Sequence, residues 1–328
     1  MNEPHPAPDE VPRHPRKRWI SHVSTALALG IALGVLYWFA REIQGNWGEL
    51  SRHLSRASWQ AVAAAVASIA VFLPAVSLCY ANSLRVVGAV VRTGTAMNVY
   101  LASQLGKYVP GKFVYVASQI GLAKWLGVSV GRSTLGFTVH HLMLCGMGLV
   151  IASPLLGVAF ERWAIVAAVV VAVLGLIVLA SGVWVRPLNV LLRKRGKQGI
   201  ERTSRAHVLG ALASIGVGWV FYGCFAAVLS TILLPEWSPS LLVRVGIAAV
   251  AAWLMGFLSF ITPAGFGVRE GAFVLLTRTV MPEATAMTVA VLMRIIHTGL
   301  QIPIGAIALG FLLRARGREA PGAAGEHP

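Results

Sequence analysis

Acidic side chains are nearly missing from this 328-residue chain, which holds 12 Asp and Glu against 28 Lys and Arg, and its single Asp is Asp9. Charge of either sign is scarce at 12% of residues, while 56% are hydrophobic, so no water-soluble domain large enough to house an active site is present. Cysteine is no more informative. Cys79, Cys145 and Cys224 stand isolated in apolar segments, which excludes a disulfide framework, and no His, Cys and carboxylate spacing fits a metal centre. The expected metal and cofactor content is none. A Gly-rich phosphate loop ending in Lys-Ser/Thr, a His-Glu-x-x-His and a Gly-x-Ser-x-Gly are all absent, so the chain carries neither an ATP motor nor a hydrolase signature. Glu42, Glu49, Glu161 and Glu236 sit in short loops without a catalytic constellation around them.

What is present is a series of apolar runs near the roughly 20 residues that a membrane-spanning helix needs. They predict an all-α polytopic membrane protein with about six full spans, at 21–40, 60–81, 133–155, 164–185, 207–233 and 285–313. Two re-entrant helical hairpins, 93–125 and 241–281, complete it. A competing count makes 241–262 a full span. The first run follows Arg13, Arg16, Lys17 and Arg18 and is too long for a signal-peptide core, so it reads as uncleaved. Residues 1–18 read as a disordered basic tail, 19–315 as one transmembrane domain, and 316–328 as a second disordered tail. Trp19, Trp38, Trp59, Trp163, Trp184 and Trp237 mark span ends as interfacial belts do.

The net charge of +16 lies at the ends of apolar runs. That placement argues for topology and anionic lipid and against nucleic acid. The basic loop 186–205 and Arg314, Arg316 and Arg318 put those segments, and with them both termini, on the cytoplasmic side. Hairpin 93–125 then enters and leaves from the cytoplasm, and 241–281 from the opposite face. An inverted repeat produces that arrangement.

Each hairpin carries charge at a Pro-Gly break. Non-helical backbone at membrane depth is tolerated only where protein or water satisfies the freed peptide groups, and ionisable groups there mark pathways or sites. At the first break, Gln104, Lys107 and Tyr108 precede Pro110 and Gly111, and Lys112, Tyr115 and Gln119 follow on one helical face. A helix restarting there also presents N–H groups to an anion. The plain alternative is that Lys107 and Lys112 reach up to headgroups. At the second, Pro263, Gly265, Gly267 and Gly271 flank Arg269 and Glu270. The glycines permit positive φ and close backbone approach. Arg269 suits bidentate binding of phosphate or carboxylate, and Glu270 is a counter-charge or a proton acceptor. A purely structural ion pair is the alternative. The last span adds Arg294, His297, Thr298 and Gln301 in one stripe. Arg294 should face the interior and meet an anion, either Glu270 or a ligand, since lipid exposure at a helix centre costs about 2.5–3.5 kcal/mol. His141 shares a face with Thr134, Thr138 and Cys145 and reads first as a packing residue.

The stretch Gln104–Lys112, followed far downstream by Thr262–Gly271, resembles the lysylphosphatidylglycerol synthase transmembrane-region family over about residues 15–315. In the family pattern the signature positions correspond to Lys107, Pro110, Gly111 and Lys112, and to Pro263, Gly265, Gly267, Arg269, Glu270 and Gly271. The resemblance implies a flippase-like fold in a bacterial inner membrane. Bifunctional members add an aminoacyltransferase domain, and this sequence stops at Pro328, so the expectation is not an enzyme.

The resulting expectation is a lipid flippase or transporter. Lys107, Lys112, Arg269 and Arg294 would hold the phosphate-bearing headgroup of a phospholipid, an aminoacyl-lipid or a polyprenyl-phosphate lipid. Two alternatives stand beside it: a non-transporting partner of a lipid or glycolipid biosynthetic complex, and an intramembrane lipid-modifying enzyme with Glu270 or His141 as base. Expected partners are anionic lipids, and the sequence leaves open a second copy of the chain or a biosynthetic enzyme.

Overall fold

The computed structural model describes residues 58–108, 112–157, 160–194, 199–200, 204–234, 236–259 and 265–319, with single positions between 41 and 51. The expected first span 21–40, the tail 1–18 and the break residues Pro110, Gly111 and Pro263 lie outside the described residues. Among those described, every regular element is helical. In order they are α1 (Trp59–Val86), α2 (Thr93–Ser103), a 3₁₀ turn (Gln104–Tyr108), α3 (Lys112–Trp125), α4 (Val130–Leu156), α5 (Arg162–Ser181) and α6 (Val185–Lys194). They continue with α7 (Arg205–Leu233), α8 (Pro239–Leu258), α9 (Val268–Thr277) and α10 (Glu283–Glu319). Six of these, α1, α4, α5, α7, α8 and α10, are long and apolar enough to cross a membrane.

Helix starts follow local chemistry. The hydroxyls of Ser58, Ser129 and Ser238 accept the N–H groups of Ala61, Arg132 and Leu241, satisfying one otherwise orphaned donor each. Gly88, with φ of 77°, reverses the chain after α1 and lets Ala89 N–H reach Leu84 C=O. The α1–α2 loop is held by Arg85, which donates to Thr93 Oγ1 at 2.6 Å.

Span limits differ from the sequence expectation mainly by extension. α1 continues to Val86, and α10 continues to Glu319, into the stretch expected as a tail. α8 is long and apolar enough to cross on its own, as the competing count has it, and the packing is also consistent with a re-entrant arm. α9 nonetheless folds back onto α8, because Gly256 of α8 lies under Arg269 of α9 and under Gly265 of the break.

The packing has an internal correspondence that relates α1–α4 to α7–α10. α1 and α7 pack on each other at the centre. α2 lies on α1 as α8 lies on α7, and α3 lies on α4 as α9 lies on α10. Each half lends its hairpin to the other: α2 packs against α10, and α8 against α4. Close crossings use small residues, as membrane helices do where lipid supplies no hydrophobic driving force. Gly223 of α7 meets Gly246 of α8 backbone to backbone, and Gly305 of α10 faces the Leu101 carbonyl of α2. α5 packs on α4 and α7 and leaves nearly all its length exposed, with Leu179 its one buried residue. Among the described residues nothing else covers it. α6 is short and basic at its end; Asn189 pairs with both the N–H and C=O of Ile200, holding that residue against it.

Candidate functional site

The 3₁₀ turn, the start of α9 and the middle of α10 converge on one buried region, walled by α1, α3 and α7. Gly265 (φ 71°) and Gly267 (φ 76°) turn the chain into α9 through left-handed backbone that a side chain would strain. At Gly265 a Cβ would also lie 2.6 Å from the Gly256 carbonyl oxygen. Gly271 differs from the expectation: it sits inside α9 without positive φ, and a Cβ there would meet open space.

The turn delivers Arg269 and Glu270 to different partners, as neighbours about 100° apart on a helix must be. The Glu270 carboxylate, 4% exposed, accepts the Gly267 N–H at 2.8 Å through Oε2 and faces Arg294 Nη1 at 3.9 Å through Oε1. It therefore closes the N-terminus of α9 and neutralises a cation on α10 at once. Arg269 turns its guanidinium over the Tyr222 ring of α7, 5.2 Å from the centroid. Its Nη2 is buried with no hydrogen-bond acceptor.

Arg294 is 5% exposed, so it does face the interior, and its guanidinium also stacks 4.0 Å from the centre of the Phe266 ring. One turn on, His297 is buried edge-on to Phe72 and Tyr222. A further turn on, Gln301 accepts the Tyr108 hydroxyl at 2.8 Å, docking the first break onto α10. Lys107 lies over the Tyr115 ring, 5.2 Å from its centroid. Lys107, Arg269 and Arg294 are close enough to repel one another. Two arginines thus face one carboxylate, with Lys107 beside them.

Of the residues singled out from sequence, Lys107, Tyr108, Tyr115, Arg269, Glu270, Arg294, His297 and Gln301 come together. Gln119 is buried on the same face of α3 as Tyr115, beside Tyr80. Lys112 begins α3, and its side chain is outside the described residues. Gln104–Tyr108 forms a 3₁₀ turn where one α-helical face was expected, so Lys107 and Tyr108 point to different partners. Sequence reasoning missed Tyr222, fully buried with its hydroxyl unpartnered, and Phe266. A phenol in the middle of an apolar span was the signal for the former. No group of three or more His, Cys, Asp or Glu among the described residues could hold a metal ion.

A cavity of about 10 Å³ lies beside Arg269 and Glu270, lined also by Ala249, Ala252, Phe273, Ala290 and Met293. That is room for about one water.

With that geometry in hand, the family model of the lysylphosphatidylglycerol synthase TM region matches residues 25–305. The chain belongs to that family. The matched range covers both breaks and all the clustered side chains. This lysylphosphatidylglycerol synthase TM-region protein is a multi-pass membrane protein, and its family is associated with lipid transport. A comparison with curated proteins finds no match.

Proposed function

We propose that the chain moves a lipid with a phosphate-bearing headgroup between leaflets of a bacterial inner membrane, with both termini cytoplasmic. The observation that carries this reading is the charge imbalance at the breaks. Arg269 and Arg294 face the one carboxylate found there among the described residues, that of Glu270, with Lys107 close by as a further basic group, in a region screened from water. Buried charges persist only when paired, and an anionic headgroup is the counter-charge a membrane supplies most readily. The buried Arg269 Nη2, without an acceptor, is the donor that a phosphate oxygen would fill. Phospholipid, aminoacyl-lipid and polyprenyl-phosphate headgroups all meet this requirement. The two re-entrant hairpins would carry the site between leaflets, each braced on the last helix of the other half.

The test is leaflet exchange of headgroup-labelled phospholipid and polyprenyl phosphate in liposomes holding the purified protein. Wild type should exchange at least one of them without altering its mass, and Arg269→Ala and Arg294→Ala should slow exchange at least tenfold. A changed lipid mass would instead indicate an enzyme. No exchange by folded protein across the panel would favour a non-transporting partner role.

A further inference from the structure

The two halves share a register. Pro110 and Pro263, Phe113 and Phe266, and the first residues of α4 and α10, Val130 and Glu283, are each separated by 153 positions. The same step carries His141 of α4 onto Arg294 of α10. The structure gives both the same kind of contact, a basic side chain on the final helix of its half reaching the second arm of its own hairpin. Arg294 meets Glu270 of α9, and His141 Nε2 meets the Tyr115 hydroxyl of α3 at 3.3 Å. One pair holds a fixed charge, and the other holds the side chain that exchanges protons near neutral pH.

The His141 pair is wired to the cationic cluster. Its Nδ1 must donate to the Phe137 carbonyl at 2.8 Å, so in the neutral ring Nε2 accepts from Tyr115. The Tyr115 hydroxyl in turn accepts from Gln104 Nε2 at 3.4 Å. The other face of that phenol carries Lys107, 5.2 Å above the ring centre. The remaining neighbours are His140 on α4 itself, Phe257 stacked from α8, and Tyr80 and Tyr100 of α1 and α2 behind His140. Cys145 faces Tyr115 from α4. None of the groups acting on His141 is a carboxylate, and Lys107 is the cation among them. Around the pair, Gln104 Oε1 and both ring nitrogens of His140 are buried with no hydrogen-bond partner, so polar groups with bonding capacity to spare surround it.

We propose that His141 with Tyr115 is a proton-binding site coupled to anion binding at the cationic cluster, so that the headgroup and a proton load together. This rests on the headgroup reading of Lys107, Arg269 and Arg294. An anion there cancels the repulsion that Lys107 exerts on a second positive charge across the Tyr115 ring. Water then delivers a proton to His141 Nε2, which changes from acceptor to donor. The Tyr115 oxygen becomes its acceptor, and the Gln104 amide, which now turns its Nε2 to that oxygen, flips so that Oε1 takes the hydroxyl hydrogen. Linkage is reciprocal, so proton loading strengthens anion binding by the same factor. Headgroup loading thereby becomes sensitive to the proton gradient.

The test is calorimetric titration of the full detergent-solubilised chain with dihexanoyl phosphatidylglycerol near neutral pH, in two buffers of different ionisation enthalpy. The phosphodiester keeps its charge throughout, so any buffer dependence counts protons taken up by the protein. Wild type should take up a measurable fraction of a proton per bound lipid, and His141→Gln should bind with that uptake gone. Tyr115→Phe, which keeps the ring beneath Lys107, should move the pH of half-maximal uptake, and it decides the matter if His141→Gln does not fold. Binding without uptake in wild type, uptake unchanged in His141→Gln, or an unmoved profile in Tyr115→Phe would each overturn the coupling while leaving the headgroup site standing. Absence of lipid binding by folded wild type would overturn the headgroup site and this inference with it.

Discussion

Tyr108 and Gln301, 193 positions apart, meet in a 2.8 Å hydrogen bond that fastens the first break to the last helix. Gln301 is 7% exposed, so removing the donor leaves a carbonyl oxygen with little access to water. Tyr108→Phe should therefore lower stability by about 1–3 kcal/mol, seen as a lower unfolding midpoint in detergent. Gln301→Leu added to it should recover part of the loss, because the orphaned acceptor goes with it. A double variant no better than the single one would show that Gln301 matters for something besides this bond.

Gly265 and Gly271 make opposite predictions despite their shared place around the second break. An alanine at Gly265 must adopt φ near 71° and drive its Cβ to within 2.6 Å of the Gly256 oxygen. The strain alone is about 1–3 kcal/mol, and the clash adds to it, so Gly265→Ala should destabilise sharply. Gly271 is exposed, helical and open, and Gly271→Ala should be neutral or stabilising by up to about 1 kcal/mol. Thermal unfolding of the two variants side by side checks both signs.

How much of this was legible in the sequence depends on whether a feature is local. Apolar length announced the spans, and a polar stripe on an apolar helix announced Arg294, His297 and Gln301, because each signal lies within one helix. The separate fates of Arg269 and Glu270 also followed from helical geometry. Nothing in a helical period names the helix on the other side, so the exchange of hairpins between halves and the Tyr222 ring beneath Arg269 had to be seen. Glycine near a proline was read as one class, yet only the backbone distinguishes Gly265 and Gly267, which turn the chain, from Gly271, which does not.

Glu270 separates stability from ligand affinity. Glu270→Gln keeps an acceptor for the Gly267 N–H but removes the charge facing Arg294. Breaking a buried pair by removing one partner costs about 3–5 kcal/mol, so the unfolding midpoint should fall. Affinity for short-chain phosphatidylglycerol should rise, since the two arginines, with Lys107 beside them, then face the headgroup with no internal competitor. A drop in stability accompanied by weaker lipid binding would instead make Glu270 part of the headgroup's own hydrogen-bond set.

The docking of one half's hairpin on the other half's last helix can be probed at Gly305. A Cβ there would lie 3.0 Å from the Leu101 carbonyl oxygen and from Leu105 Cδ2. Valine, larger still, must push α2 and the turn off α10, and overpacking of this kind costs about 1–3 kcal/mol. Gly310 lies on the same helix with open space before it, so Gly310→Ala is the matched control. If the headgroup site forms only when the first break is seated on α10, Gly305→Val should slow leaflet exchange well beyond what its stability loss accounts for. Lys107 and Tyr108 would then no longer share a region with Arg269 and Arg294. Exchange that follows stability alone would place the transport site wholly within the second hairpin and α10.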